Sequence, residues 1–155
     1  MRKVAYFAVG IAMTGLLATA TLASGQPETT SPIKARQEAM KTVKEHFVPL
    51  VKMVKGAAPF DAATVKKNAE VIARKLEEAS KLFPEGSDTG KTRARPEIWL
   101  LEDEFQTLFK TAIAKAKALA RVNEASQLAP AVMELGGKGC KACHEKFRTA
   151  KDKKM

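Results

Sequence analysis

Apolar residues recur every three or four positions along most of the chain between residues 32 and 149, the spacing of one face of an α-helix. Cap residues, prolines and glycines divide this pattern into four predicted helices. They run from Ser31–Pro32 to Lys55–Gly56, from Asp61 to about Leu82, from Pro96–Glu97 to Val122–Asn123, and from near Ser126 to about Thr149. Pro49 lies inside the first helix, where we expect a kink or a local break.

The link between the second and third helices, "FPEGSDTGKTRAR", has no apolar period and contains one proline and two glycines. It is therefore predicted to be a long loop. Four amphipathic helices with two short links and one long link favour an antiparallel four-helix bundle, an all-α fold. The composition agrees, because it is rich in Ala, Lys, Glu and Leu and poor in residues typical of strands.

The first residues indicate export. Arg2 and Lys3 precede a mostly apolar run, Val4 to Leu22, and small residues follow it. We predict that residues 1–25 are a cleaved signal peptide, with cleavage after Ala23 or Gly25, and that residues 26–155 form one periplasmic domain without stable membrane insertion. An uncleaved anchor is the alternative, since the run nearly reaches the ~20 residues that a membrane span needs.

The chain carries a formal net charge of +10, and loss of the two N-terminal cations leaves 10 − 2 = +8. Export argues against a nucleic-acid partner. We interpret the positive charge as a solvated surface that assists docking to redox partner proteins.

Both cysteines and one of the two histidines lie in "GCKACHEKF", residues 139–147. Cys140, Cys143 and His144 are spaced i, i+3 and i+4, so on a helix they project from one side. Two such thiols can each add to a porphyrin vinyl group while the imidazole binds the iron, which predicts one covalent haem c. A redox dithiol would need a strand–helix–strand context. A zinc site would need about four ligands, and only His46 remains.

The haem motif lies near the end of the chain, and it is accompanied by other distinctive segments. These are "ARQEAM" (35–40), "VKGAAPFDAATVKKNAEVI" (54–72), "ARPEIW" (94–99) and "CKACHEKFR" (140–148). Together they resemble the class II cytochromes c, the cytochrome c′ family, over residues 32–149. The resemblance implies a four-helix bundle, a haem protein that is not an enzyme, and a possible homodimer through the first two helices.

The resemblance also implies two alternatives for the iron. His144 is the proximal axial ligand, and Met40, four residues after Arg36, takes the distal position. If the thioether of Met40 binds iron, the protein is a low-spin His/Met electron carrier, which is our main expectation. If Met40 only packs, the iron is high-spin and open to NO or CO. Peroxidase chemistry finds little support, because His46 lies off the apolar face of the first helix.

Weaker expectations concern five polar residues. By resemblance, Arg36 and Gln37 lie near the haem and its propionates, Thr92 or Arg93 contacts a propionate, and Arg148 lies close to the proximal side. Arg36 also falls on the inward face of the first helix, where a cation is costly to bury. We therefore expect Arg36 to have a buried anionic partner.

Overall fold

The computed structural model describes residues 31–150, which form six α-helices and one π-helical segment. The helices are α1 (Pro32–Val54), α2 (Ala62–Ala79), α3 (Glu97–Leu100), α4 (Glu102–Leu119), α5 (Ala125–Glu134) and α6 (Ala142–Phe147), with the π segment (Leu135–Lys141) between α5 and α6. The predicted signal peptide and the last five residues lie outside the described part of the chain.

Four helical rods build the bundle: α1, α2, α4, and the continuous rod of α5, the π segment and α6. Each rod packs against the next, and the last packs back against α1. The all-α antiparallel four-helix bundle is therefore confirmed. Its core is one contiguous cluster whose largest fully buried side chains are Leu50, Ile72, Leu119, Leu135 and Val65.

The first two helices closely follow the sequence pattern. α1 begins with Pro32 in its first turn, where the missing N–H has no partner to lose. It stays helical through Pro49, so the alternative of a local break there was wrong. Asp61 caps α2 as predicted, because its carboxylate accepts the backbone N–H groups of Ala63 and Thr64 at 3.3 and 3.0 Å.

The predicted third helix is divided at Leu101, whose φ and ψ of −126° and 46° are not helical. Trp99 holds α3 against the long loop, since its indole Nε1 donates to the carbonyl oxygens of Phe83 and Pro84, both at 3.1 Å. α4 then begins with three acidic residues, which favour a helix N-terminus. The expectation of one continuous helix was wrong here.

The last helix contains a feature that the sequence pattern does not indicate, the π segment. It holds three glycines, which weaken the α-helical preference. Gly139 is buried, and a Cβ built on it would lie 3.2 Å from Cα of Ala112 on α4. The absence of a side chain at Gly139 therefore lets the haem-motif helix lie directly against α4.

No helix within residues 31–150 combines the length and the apolar character that crossing a membrane requires.

Candidate haem-binding site

The predicted haem-binding residues lie at the junction of the π segment and α6. Cys140 belongs to the last turn of the π segment, while Cys143 and His144 belong to the first turn of α6. The backbone between them is helical, with φ and ψ of −64° and −49° at Lys141 and −54° and −45° at Ala142. The i, i+3, i+4 spacing thus puts all three side chains on one side of a continuous helix. All three are half-buried.

The chemistry of these three groups fits haem c. Both cysteines are free thiols. Burial raises the pKa of Cys140, and burial together with neighbouring Cys140 raises the pKa of Cys143 to about 11. Burial lowers the pKa of His144, and the positive charge of Arg93 lowers it further. Neutral imidazole, the form that binds iron, is therefore favoured. Two S–H groups and one imidazole on one helix side are the donor set that covalent haem c requires.

The helix α1 lies opposite this site. The contact between Phe47 of α1 and Gly136 of the last rod shows which residues of these two rods lie at the same height. A Cβ built on Gly136 would lie 3.4 Å from Cζ of Phe47. Because α1 and the last rod are antiparallel, seven residues back from Phe47 and seven residues on from Gly136 lead in the same direction. The first step is roughly 10 Å long, and the second is shorter because most of it lies in the π segment. These steps end at Met40 and at Cys143. Met40 is half-buried and packs against the core cluster, as both cysteines do.

Arg36, one turn before Met40, is buried, with 4% of its surface exposed. Its Nη1 donates to the carbonyl oxygen of Leu82 at 3.1 Å and to Oγ of Ser87 at 2.9 Å. Its Nη2 donates to the carbonyl oxygen of Ser87 at 2.6 Å and to Oγ1 of Thr92 at 3.0 Å. The guanidinium also lies over the ring of Phe83, 4.7 Å from its centroid. All four of these acceptors are neutral, and the expected anionic partner of Arg36 stays a prediction.

Gln37 reinforces the same contact, because its Nε2 donates to the carbonyl oxygen of Lys91 at 2.7 Å. Arg36 and Gln37 therefore both hold the long loop against α1. Thr92 takes part as an acceptor from Arg36, and it also accepts the backbone N–H of Ala94 at 3.1 Å.

The far end of the loop is tied to the end of the haem-motif helix. The backbone N–H of Arg95 donates to the carbonyl of Phe147 at 3.0 Å, and that of Thr149 donates to the carbonyl of Arg93 at 2.9 Å. Ala94 and Arg148 face each other across this short antiparallel bridge. The pairing brings Arg93 and Arg148 to the same side of the molecule as His144.

A cleft of about 580 Å³ opens beside His144. It is lined by Arg93, Arg95, Lys141, His144, Glu145, Arg148, Thr149 and Ala150. Arg93, His144 and Arg148 were predicted from the sequence as site residues, whereas Arg95 and Lys141 were not. The alternation in "TRAR" was the available signal, since extended backbone turns every second side chain to the same side.

His46 is half-buried, and its Nδ1 lies 2.7 Å from Oδ1 of Asn68 on α2. Asn68 in turn donates to the carbonyl oxygen of Thr64 at 2.8 Å. His46 therefore joins α1 to α2.

Comparison with known proteins bears on this geometry. A family model described as Cytochrome C′ matches residues 31–148.

This chain belongs to the cytochrome c′ family.

It is 36% identical over 122 residues to the cytochrome c′ of Alcaligenes xylosoxydans xylosoxydans, covering 77% of this chain and 94% of that protein. It is also 32% identical over 120 residues to the cytochrome c-556 of an Agrobacterium tumefaciens strain, covering 77% and 98%. Among solved structures, the cytochrome c′ of Rhodopseudomonas palustris superposes with a TM-score of 0.75 at 34% identity, covering 79% of this chain and 99% of that one.

The family match confirms the resemblance drawn from the four sequence segments. It also identifies the cofactor class, because cytochrome c′ proteins carry one covalent haem c with its iron, and this chain has its two cysteines at positions 140 and 143. The assignment of the distal position to Met40 stays a prediction.

Proposed function

We propose that this protein is a periplasmic mono-haem cytochrome that binds a small neutral gas, NO or CO, on an open distal side of the haem. The match of residues 31–148 to cytochrome c′ carries this proposal, because the open, high-spin site is the expectation that the family resemblance attaches to cytochrome c′ proper. The comparisons favour it over our main sequence-based expectation, the low-spin electron carrier.

In this proposal the haem is held by thioether bonds to Cys140 and Cys143, and His144 is the proximal iron ligand. The distal side faces α1, where the inward positions around Met40 are apolar: Ala39 and Val43 are both buried. An apolar wall of this kind suits an uncharged diatomic ligand. His46, the remaining histidine, is held by Asn68 on α2.

Residues 1–25 are the proposed signal peptide, and the proposed exported domain meets redox partner proteins that supply or remove electrons. Homodimerisation through α1 and α2 is a further proposal. None of these roles requires the protein to act as an enzyme.

Absorption spectra of the purified holoprotein test the iron site. We expect high-spin ferric and ferrous spectra, and we expect ferrous protein to bind CO at neutral pH without displacing a ligand. Low-spin spectra in both oxidation states, with resistance to CO, would contradict the proposal.

The position of Met40 supports a second candidate function, the electron carrier. Met40 lies on α1 at the level of Cys143, which is consistent with its thioether reaching the iron and stabilising the ferrous state. A Met40→Leu variant separates the two candidates. It should leave the spectrum of an open site nearly unchanged, whereas it should turn a His/Met site from low-spin to high-spin. Met53→Leu is the matched control, because Met53 lies on the same helix and also packs half-buried against the core.

A further inference from the structure

The cleft beside His144 concentrates arginine. Residues 31–150 contain six arginines: Arg36, Arg74, Arg93, Arg95, Arg121 and Arg148. Three of these six, Arg93, Arg95 and Arg148, line this one cleft. Arginine is the side chain best suited to hold a carboxylate, because its planar fork offers two parallel N–H donors.

The positive charge of the cleft is not neutralised within the described residues. None of its three arginines pairs with a described carboxylate, and Lys141 is the only cation there with such a partner, Glu145 at 3.5 Å. The lining therefore holds four cations and one carboxylate, a net charge of 4 − 1 = +3.

Two of the arginines are fixed in place. Nη1 of Arg95 donates to the carbonyl oxygen of Lys146 at 3.0 Å, and Nη1 of Arg93 points toward that of Thr149 at 3.5 Å. Backbone hydrogen bonds between residues 93–95 and 147–149 hold these two segments of the cleft wall together. These contacts use neutral backbone oxygens, so they do not neutralise the positive charge of the two guanidinium groups. The other N–H donors of both groups stay available to a partner.

We infer that this cleft is a docking surface for an acidic region of a redox partner protein. The cleft is open, and Lys141, Arg148, Thr149 and Ala150 are exposed, so a small anion there would stay hydrated and would be screened by salt. An acidic protein surface brings several carboxylates at once and excludes water as it binds.

The inference depends on the proposed function in one respect, which is that electrons exchanged at this surface need a haem on His144. The placement favours such exchange, since Arg93 and His144 line the same cleft. Docking at this cleft would bring the partner next to the proximal ligand.

Calorimetric titration of the holoprotein with poly-L-glutamate at low ionic strength tests the surface. We compare Arg93→Gln/Arg148→Gln with a control of the same net charge, Arg74→Gln/Arg121→Gln, whose arginines line a different cleft between α2 and α4. Two exposed ion pairs change an affinity by roughly two- to thirtyfold. We expect the cleft variant to bind about tenfold more weakly and the control to change less than about threefold. Far-ultraviolet circular dichroism and thermal unfolding like those of the wild type establish that both variants are folded.

Three results would overturn the inference. Equal weakening in both variants would mean that only net charge matters. Competition by inorganic phosphate beyond that of chloride at equal ionic strength would indicate a small-oxyanion site instead. Arginine-dependent binding to phosphatidylglycerol vesicles without binding to poly-L-glutamate would indicate a membrane surface. CO binding, measured on the same samples, reports on the proposed function separately, because poly-L-glutamate binding does not depend on the ligation of the iron.

Discussion

Replacing Arg36 by methionine tests whether this residue stabilises the fold by holding the long loop. Methionine fills a similar volume and keeps the apolar contacts, so the change removes mainly the guanidinium and its four hydrogen bonds. The acceptors on Leu82 and Thr92 belong to half-buried residues and can turn to water. Ser87 is only 7% exposed, so its carbonyl and hydroxyl would stay dry and unpaired.

The expected loss of stability follows from these partners. Each buried unpaired polar group costs about 1–3 kcal/mol, which gives about 2–6 kcal/mol for the two groups of Ser87. Loss of the cation above the ring of Phe83 adds about 0.5–2 kcal/mol. Methionine avoids the cost of burying a charge, which offsets several kcal/mol of this total. We expect a net decrease of about 3 kcal/mol in the free energy of unfolding.

Urea unfolding of the holoprotein, followed by far-ultraviolet circular dichroism, measures this change. Arg74→Met is the control, because the Arg74 side chain is 60% exposed and should change stability by no more than about 0.5 kcal/mol. Arg36→Lys should lie between the wild type and Arg36→Met, since an ammonium keeps the charge but cannot span the same acceptors. A decrease below about 1 kcal/mol in Arg36→Met would refute the role of Arg36 as the residue that holds the loop.

Three other substitutions test the helix that carries the haem motif and the break after α3. Gly139→Ala should destabilise the protein by about 1–3 kcal/mol in urea unfolding, because its Cβ would meet the backbone of α4; Gly137→Ala, with nothing within 4 Å, should not. Two lysines hold the pKa of Glu134 at about 2, below its ordinary 4.5. Its contribution to stability is therefore present above about pH 4.5 and lost as the pH falls through about 2. The urea midpoints of wild type and Glu134→Gln should become equal at about pH 2, and high salt should also bring them together. Trp99→Phe removes the indole N–H that holds α3 to the loop and should lower stability by about 1 kcal/mol in thermal unfolding.

Regular helices were predictable because their determinants are local. Pro32 starts α1 and Asp61 caps α2 through contacts within a few residues, and the apolar spacing decides which side each helix buries. The candidate haem-binding residues could be named for a related reason, since the chemistry of attachment requires two thiols and an imidazole close together on one helix.

The breaks in the helices were not predictable, because they depend on distant contacts. Leu100 and Leu101 are apolar and extend the periodic pattern, yet they are 78% and 41% exposed. Next to this break, the indole of Trp99 on α3 donates hydrogen bonds to a loop fifteen and sixteen residues earlier, a contact that the periodic pattern does not indicate. In the same way, the glycines of the π segment are visible in the sequence, but the close approach of Gly139 to α4 is not.

Arg36 shows the same limit at the candidate site. Its burial followed from the helical pattern, whereas the neutral partners that hold it did not, and an anionic partner stays a prediction. Its hydrogen-bond partners Ser87 and Thr92 lie 51 and 56 residues later in the chain. They belong to a loop without an apolar period, so the sequence pattern does not indicate them. Four neutral acceptors in fixed positions can satisfy a guanidinium without a carboxylate.

This loop connects the two sides of the proposed haem site. Arg36 on α1 holds Thr92, and the next three residues pair with the end of the haem-motif helix and place Arg93 beside His144. The helix that carries Met40 and the cleft that carries the arginines are thus joined through a few consecutive residues. A change at Arg36 therefore acts on both sides, because a loop released from α1 also loosens the wall of the cleft. Arg36 on the first helix accordingly belongs to the architecture of the proximal side, although more than 100 residues separate it from His144 in the sequence.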